Sequence, residues 1–512
     1  MAAAAGYLAI ALLLLSVAPL SAAKPNILFM MADQLRADLI AAAGNNITKT
    51  PNVDRLAREG VMFRNAFSST PTCTPARAAI LTGKKPWNHG MLGYGAVAKQ
   101  YPYEMPRAMA EDGYYTKSIG KDHFGWDKNL NEGISHGYMD TDLYDGLTEE
   151  FDDYDQWFNK TNPGVNPMAT GLTWNDYRGR PYALPEYYHP TAWVGRAAVD
   201  FLDNYNRSEP FMLKVSFHRP HSPYDPPKRL MDIYNVSDMP APYQGSNWDN
   251  RFAIKYNTTP SPGIWCGDIG LDVVKHSRQA YYGSVTFVDE WVGHILGALQ
   301  QRGWLESTLI LFTADHGDMI GDHYHFRKGF PYEGSAHIPM LIRWPDTMTT
   351  KNHGPVTVSR GIIREEPVEL RDLFPTFLDA AASRPSKPLD GQSLLNLLSD
   401  NVTDGQWREY VDLEHDVCYN VTNHWNALTD GHMKYVFRAY FGDEQLFDLD
   451  NDPHEMTNLA GNATWEKPLE LWRSRMVKQF QEEGRGPDWV SPDGKLMRRI
   501  KGQLYSPNYP RK

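Results

Sequence analysis

Four short strand-like runs in this chain, the first wholly apolar, each end in ionisable side chains, and that recurrence restricts the fold more than any other feature. Ile27-Leu28-Phe29-Met30-Met31-Ala32 runs into Asp33, and Tyr115-Thr116-Lys117-Ser118-Ile119 into Gly120-Lys121-Asp122-His123. Residues 211–217 run into His218-Arg219-Pro220-His221, and residues 308–313 into Asp315-His316. An uninterrupted apolar run of this length reads as a strand covered on both faces, as in a parallel sheet. In open α/β sheets, ligands bind outside the carboxyl ends of such strands. Helical spacing falls between the runs, at residues 105–112 (Pro106 near the start, Gly113 after the end), 196–204 and 285–302. This alternation predicts an α/β fold whose large domain has a mostly parallel central sheet flanked by helices.

The texture changes between residues 383 and 406, where Arg384-Pro385-Ser386-Lys387-Pro388 reads as a linker. Beyond it, β-type runs at 410–413, 434–437 and 445–449 are separated by the turn signals Thr429-Asp430-Gly431 and Asn451-Asp452-Pro453. They predict a small antiparallel sheet, followed by a helix over 465–482. The expected organisation is a signal peptide at 1–23, a catalytic domain at 24–385 and a smaller C-terminal domain at 386–512. The tail from Gly484, rich in Pro, Gly and basic residues, is expected to lie over the surface.

The 512 residues carry a formal net charge of −11, which argues against nucleic acid as a partner. An anionic substrate would need a locally basic pocket. Residues 7–18 are apolar and Ser21-Ala22-Ala23 precedes Lys24, the pattern of a cleaved secretory signal and too short to span a bilayer. No later stretch is long enough to span. Asn-x-Ser/Thr acceptors at Asn46, Asn159, Asn206, Asn235, Asn257, Asn401, Asn420 and Asn462 then predict a lysosomal or extracellular glycoprotein. Cysteines number three, so one is left over for chemistry; Cys266 and Cys418 either pair or remain buried thiols.

Cys73 is the candidate for that chemistry. Pro75 suits the first turn of a helix, with Thr74 as its N-cap and Gly83 as its stop. Cys73 would sit just ahead of that helix, at the positive end of its dipole, with Arg77 in the first turn. A small nucleophile beside a guanidinium at an anion-attracting helix start suits attack on a sulfate or phosphate group.

Cys73-Thr74-Pro75-Ala76-Arg77 followed by Leu81-Thr82-Gly83 resembles the Cys-x-Pro-x-Arg signature of the sulfatase family, and the likeness extends over nearly all of the chain beyond residue 23. Asp33 and Gln34 fall where that family has its first pair of metal ligands, and Asp315-His316 where it has the second. Gly120-Lys121-Asp122-His123 resembles its Gly-Lys-x-His, His221 its substrate histidine and Lys328 its second sulfate-binding lysine. Gln445-Leu446-Phe447-Asp448-Leu449 with Asp452-Pro453 resembles its C-terminal domain. The resemblance implies an alkaline-phosphatase-like fold, Ca²⁺ as the cofactor, and oxidation of Cys73 to formylglycine by a formylglycine-generating enzyme. By residue type alone the oxygen donors suit Ca²⁺ or Mg²⁺, while His316 leaves Zn²⁺ and Mn²⁺ open. Taken singly, Asp33 could equally cap a helix, and Asp318, Asp322 and His323 belong either behind the ligands or to an ordinary polar loop.

The implied chemistry is hydrolysis of a sulfate ester on a carbohydrate or aryl alcohol. A hydroxyl of the formylglycine hydrate at position 73 attacks sulfur, His221 protonates the leaving oxygen, and Lys121 and Lys328 hold the sulfate oxygens. His123 takes the proton of the second hydroxyl so that sulfate leaves, and Arg77 steadies the nucleophile. Gln34 departs from the commoner Asp-Asp pair and brings a phosphodiester or phosphonate monoester hydrolase into consideration. A silent relative that only binds sulfated glycans is the remaining alternative.

Overall fold

A computed structural model describes residues 24–127, 132–146, 152–345, 348–350, 354–356, 360–398 and 407–511. The expected signal peptide, Asn401 and the end of the linker region lie outside the described residues. The central sheet has eight strands: β1 (Asn26–Asp33), β2 (Val61–Phe63), β3 (Tyr115–Gly120), β4 (Asp140–Leu143), β5 (Phe211–Pro220), β6 (Thr308–Ala314), β7 (Met340–Arg343) and β8 (Ile362–Arg364). Their order is β8-β2-β7-β6-β1-β5-β3-β4, and β7 alone runs against its neighbours. The predicted mostly parallel sheet is therefore present, with one reversed strand. Its centre is dry: residues 27–32 of β1 are each 0% exposed, as unbroken apolar runs covered on both faces require.

Six helices organise the rest: α1 (Cys73–Thr82), α2 (Met105–Glu111), α3 (Pro190–Asn204), α4 (Leu271–Gln301), α5 (Leu373–Ala380) and, near the C-terminus, α6 (Glu466–Glu482). Phe211 of β5 meets Phe201 of α3, whereas Phe29 of β1 meets Phe377 of α5. Phe29 pairs across the sheet with Lys214, which is out of phase with Phe211, so α3 and α5 cover opposite faces. α4 is longer than its predicted span. Its first half carries Lys275, His276 and Arg278, and Arg278 is buried by pairing with Asp322 at 2.6 Å, which disguises the apolar period. α3 likewise starts earlier than predicted, at Pro190, because His189 Nδ1 caps the Thr191 amide.

The C-terminal sheet is an antiparallel meander of β9 (Val411–His415), β10 (Trp425–Thr429), β11 (Met433–Arg438) and β12 (Asp443–Asp448). β10 was not among the predicted strands, since it follows the turn-rich Asn420-Val421-Thr422-Asn423. Alternate residues face opposite ways. Leu413, Trp425, Val436 and Phe447 pack on Phe67, Phe330 and Tyr332 of the large domain, while Leu428, Tyr435 and Leu446 pack on Leu469, Trp472 and Met476 of α6. The tail lies largely over the surface, as the sequence reading has it, and a few buried residues anchor it. Trp489 joins the α6 core, Arg485 is buried against Glu414 at 2.7 Å, and Ser506 is 0% exposed. A buried carboxylate and apolar area from Trp87 were waiting for those residues, and composition could not reveal them.

Gly120 closes β3 at φ +94, and a Cβ there would lie 2.1 Å from the Ser216 carbonyl oxygen. Gly113, at φ +86, faces open space. Gly113→Ala should cost about 1 kcal/mol of stability and Gly120→Ala roughly 3 kcal/mol, because only the second adds overlap with a neighbouring strand to the left-handed strain. Urea denaturation of the two variants checks the difference.

Candidate active site

The strands β6, β1, β5 and β3 are consecutive neighbours and all run the same way, so their carboxyl ends open at one place. Asp33 ends β1, Lys121 follows β3, His218 lies in the last turn of β5 with His221 just past it, and Asp315-His316 follow β6. α1 points its N-terminus at this edge. It begins at Cys73 itself, with Thr72 rather than Thr74 as N-cap. Thr72 makes no side-chain cap because its Oγ1 pairs with His415 Nε2 at 2.9 Å. Gly83 stops the helix in the left-handed region as expected, its N–H reaching the Ala79 carbonyl. Every residue of α1 is buried, and Ala76, Ala78 and Ala79 allow that close approach.

Arg77 does more than flank the nucleophile. Its Nε donates to Asp315 Oδ2 at 3.0 Å, its NH2 lies 3.4 Å from Asp33 Oδ2, and its NH1 donates to the Lys121 carbonyl at 2.5 Å and to Ser216 Oγ at 3.1 Å. The guanidinium thereby fixes both carboxylates and the start of the lysine loop.

Cys73 Sγ sits at the focus of the predicted residues. It lies 3.1 Å from Lys328 Nζ, 3.3 Å from His316 Nε2, 3.8 Å from Lys121 Nζ and 3.7 Å from Asp33 Oδ2. Burial pushes the thiol pKa up, yet Lys121, Lys328 and His316 override it and hold it well below the ordinary cysteine value. The surroundings therefore favour negative charge at position 73. Burial and the thiol raise the Asp33 carboxyl, and Lys121, His221 and Lys328 outweigh them and hold it below the usual carboxylate range. Lys121 Nζ pairs with Asp33 at 2.6 Å.

Asp33, Cys73, Asp315 and His316 present ligand atoms all within 4.8 Å of one another, and the donors fit a divalent cation. His316 Nδ1 is 3.0 Å from the Gly317 carbonyl, an acceptor only, so Nδ1 carries the proton and Nε2 turns a lone pair to the cluster. Gln34 donates its amide Nε2 to Asp318 Oδ2 at 2.5 Å, which leaves its buried Oε1 without a hydrogen-bond partner. A buried oxygen without a hydrogen-bond partner is what a metal ligand presents to a cation. Asp318 thus orients a ligand, and it also accepts from Tyr224 Oη at 2.5 Å. Asp322 pairs with Arg36 and Arg278, and His323 packs on Trp248, so neither belongs to the site.

His221 Nδ1 donates to the Ser222 carbonyl at 2.6 Å, so Nε2 is its free nitrogen. Burial, then Lys328, lowers its pKa to about 3, so the ring is neutral. His123, at φ +56, has its amide held by Asp145 at 2.9 Å, its Nε2 3.3 Å from Tyr94 Oη, and a buried Nδ1 without a partner. His218 carries no assignment from the sequence, although it lies in a stretch singled out there. It sits between Lys121 Nζ at 3.3 Å and Arg219 NH1 at 2.9 Å, and burial with these two cations keeps it neutral.

These groups open into a cavity of about 220 Å³. The sequence placed Cys73, Lys121, His123, His221 and Lys328 there; it did not reveal Tyr94, Trp174, Asn175, Arg327, Val417, Cys418 and Tyr419, which complete the wall. Loops carry most of these, and only Arg327, next to Lys328, had a neighbour that could have pointed to it. Cys266 and Cys418 are both free thiols, which settles their pairing.

The Sulfatase family model matches residues 25–383, and a model described as N-sulphoglucosamine sulphohydrolase, C-terminal, matches residues 321–482. The chain is 37% identical over 479 residues to an arylsulfatase of Clostridium perfringens, covering 90% of this chain and 96% of that one. This chain belongs to the sulfatase family. It is also 30% identical to a choline-sulfatase of Rhizobium meliloti, covering 86% of this chain and 83% of the relative. Among solved structures, this sulfatase resembles a phosphonate monoester hydrolase of Agrobacterium radiobacter with a TM-score of 0.74 and 27% identity, over 90% of this chain and 96% of that one. The expected alkaline-phosphatase-like architecture is thereby in place, and the protein is an enzyme of sulfate-ester hydrolysis.

Asp315→Ala should abolish stoichiometric divalent metal in the purified sulfatase. Asp318→Asn, which weakens the acceptor that orients the Gln34 amide and also holds Tyr224 and the Arg327 amide, should weaken metal affinity by roughly 10–100-fold. Elemental analysis and metal titration check both; full metal content in Asp315→Ala would sink the ligand assignment.

Proposed function

We propose that this sulfatase cleaves a sulfate ester of a carbohydrate or aryl alcohol, using Cys73 after its oxidation to formylglycine by a formylglycine-generating enzyme. The observation that carries the reading is the convergence on Cys73 Sγ of Lys328, Lys121, His316 and Asp33, each within 3.8 Å. The names of the choline-sulfatase relative and of an N-acetylglucosamine-6-O-sulfatase from Bacteroides thetaiotaomicron, 26% identical, favour a sulfated small molecule or sugar as the substrate. A formylglycine hydrate supplies a hydroxyl nucleophile and a second hydroxyl for release of sulfate. A divalent cation, with Ca²⁺ preferred for the oxygen-rich set Asp33, Gln34 and Asp315, supplies Lewis-acid activation at position 73 when bound.

The chain's own side chains do the rest. Lys121 and Lys328 hold the sulfate oxygens and offset charge as it develops. His221 Nε2 acquires its proton when sulfate brings negative charge beside it, and donates that proton to the leaving oxygen. His123 lines the same cavity and removes a proton from position 73. Arg77 positions Asp33 and Asp315 and touches no reacting atom.

A second reading, hydrolysis of phosphonate monoesters in the same cavity, is favoured by Gln34 in place of an acidic ligand and by the likeness to the Agrobacterium enzyme. Side-by-side kcat/KM values on 4-nitrophenyl sulfate and phenyl phosphonate esters discriminate the two. We also propose a secretory, glycosylated protein of the lysosome or cell exterior: among the described acceptors, Asn46, Asn159, Asn206, Asn235, Asn257, Asn420 and Asn462 are all exposed.

Peptide mass mapping tests both covalent statements at once. It should show aldehyde in place of thiol at residue 73 and glycan mass on peptides that hold the exposed acceptors. An entirely unmodified thiol in an active sample overturns the nucleophile assignment. His221→Ala should lose about 10²–10⁴-fold in kcat/KM on a sulfated sugar, whose alkoxide needs a proton, and far less on 4-nitrophenyl sulfate. Lys328→Ala should harm both substrates alike. Equal losses for His221→Ala would make it a binding residue.

A further inference from the structure

The wall of the active-site cavity carries a cation that the reaction does not use. Arg327 precedes Lys328, lines the same cavity, and is only 5% exposed. Its NH2 donates to the Gly263 carbonyl at 2.6 Å, while its buried Nε has no hydrogen-bond partner. Among the described residues no carboxylate forms an ion pair with it. Most other buried arginines are matched, Arg36 and Arg278 by Asp322, Arg219 by Asp225, Arg485 by Glu414; Arg499, outside this cavity, is held by Asn426 and stacked on Trp489 instead. A buried guanidinium without a counter-charge is costly unless something else supplies one.

Its position is also enforced. The Arg327 amide donates to Asp318 Oδ1 at 2.8 Å, and its carbonyl accepts from the Met319 amide at 2.7 Å. The guanidinium lies over the Tyr419 ring at 4.4 Å, and that ring stacks in turn on Trp265 at 6.3 Å and 10°. Both Arg327 (φ +68) and Tyr419 (φ +61) hold left-handed backbones, a strain that surrounding contacts must maintain. The cavity wall includes Lys121, Lys328 and Arg327 and no acidic side chain. One sulfate ester is served by the two lysines, which leaves Arg327 in excess.

We infer that Arg327 is a specificity-determining residue that binds a second anionic group, a carboxylate or another sulfate, on the substrate beside the ester being cleaved. The planar fork suits either oxyanion in two-point contact. The inference rests on the sulfate-ester reading of this cavity and adds to it that the substrate is at least dianionic.

The test compares 2-, 3- and 4-O-sulfated methyl glucosides with the matching methyl glucuronosides, and with 2,6-di-O-sulfated methyl glucoside, using 4-nitrophenyl sulfate as the reference. The wild-type enzyme should favour the substrates with a second anion by roughly 10–100-fold in kcat/KM, the usual worth of a charge-assisted hydrogen bond. Preference for the glucuronosides identifies a carboxylate, and preference for the disulfate a second sulfate. Arg327→Ala should erase that preference and Arg327→Lys restore part of it. A wild-type ratio near one overturns the inference without any variant, as does an equal loss on mono- and dianionic substrates in Arg327→Ala. Turnover of 4-nitrophenyl sulfate with no preferred dianionic sugar overturns it too. No turnover of any sulfate ester refutes the underlying reading instead, and the inference falls with it.

Discussion

The guanidinium of Arg77 is the contact on which the site depends. It is 1% exposed, so each of its N–H groups must find a partner inside the protein. It finds Asp33 from the end of β1, the Lys121 carbonyl after β3, Ser216 in β5 and Asp315 after β6. One side chain on the first turn of α1 therefore ties together all four strand ends that carry chemistry. Replacing it by lysine would keep a charge but not the planar fork that reaches several acceptors at once. Removing it would leave two buried carboxylates facing each other, a change that typically costs about 3–5 kcal/mol.

That clamp explains how an acidic protein holds a basic pocket. The carboxylates are drawn behind position 73, where Arg77 and Lys121 engage them, and the cavity in front is left to Lys328, Arg327 and the imidazoles. Net charge says nothing about this, because it averages over a surface that a buried substrate never meets. The field at Cys73 Sγ comes from groups within a few ångströms in a dry environment, where solvent screens them little.

The catalytic half of the site was legible because its residues hang on strand ends, and strand ends are announced by apolar runs. Asp33, Lys121, His221 and Asp315 needed only the parallel order β6-β1-β5-β3 to meet, and that order follows from crossover connections between like strands. The recognition half was not legible. Trp174 and Asn175 come from a loop, and Val417, Cys418 and Tyr419 from the chain between β9 and β10. The last three are carried to the cavity by the C-terminal sheet, whose β10 lays Trp425 against Phe330 of the large domain, whereas Trp174 packs on His218 and His221. Such contacts depend on how two sheets dock, for which no local period exists. The start of α1 was misplaced for a related reason: Thr72 surrenders its capping hydroxyl to His415, a residue more than 300 positions away. Within the mostly exposed tail, the anchors were not legible either: Arg485 meets the buried Glu414, which composition does not announce.

The electrostatics around residue 73 also bear on why a thiol would serve poorly there. Lys121, Lys328 and His316 pull the Cys73 thiol well below its ordinary pKa, so the surroundings favour the thiolate form of an unmodified cysteine. A thiolate would neutralise the same two lysines that a sulfate ester needs, and would repel the ester's negative oxygens from the atom meant to attack. A neutral group at position 73 would leave Lys328 without a counter-charge there, while Lys121 keeps Asp33. The arrangement that makes position 73 welcoming to an anion therefore favours a residue that is not itself one. The proposed oxidation of Cys73 would then serve to clear the anion site as well as to supply an oxygen nucleophile.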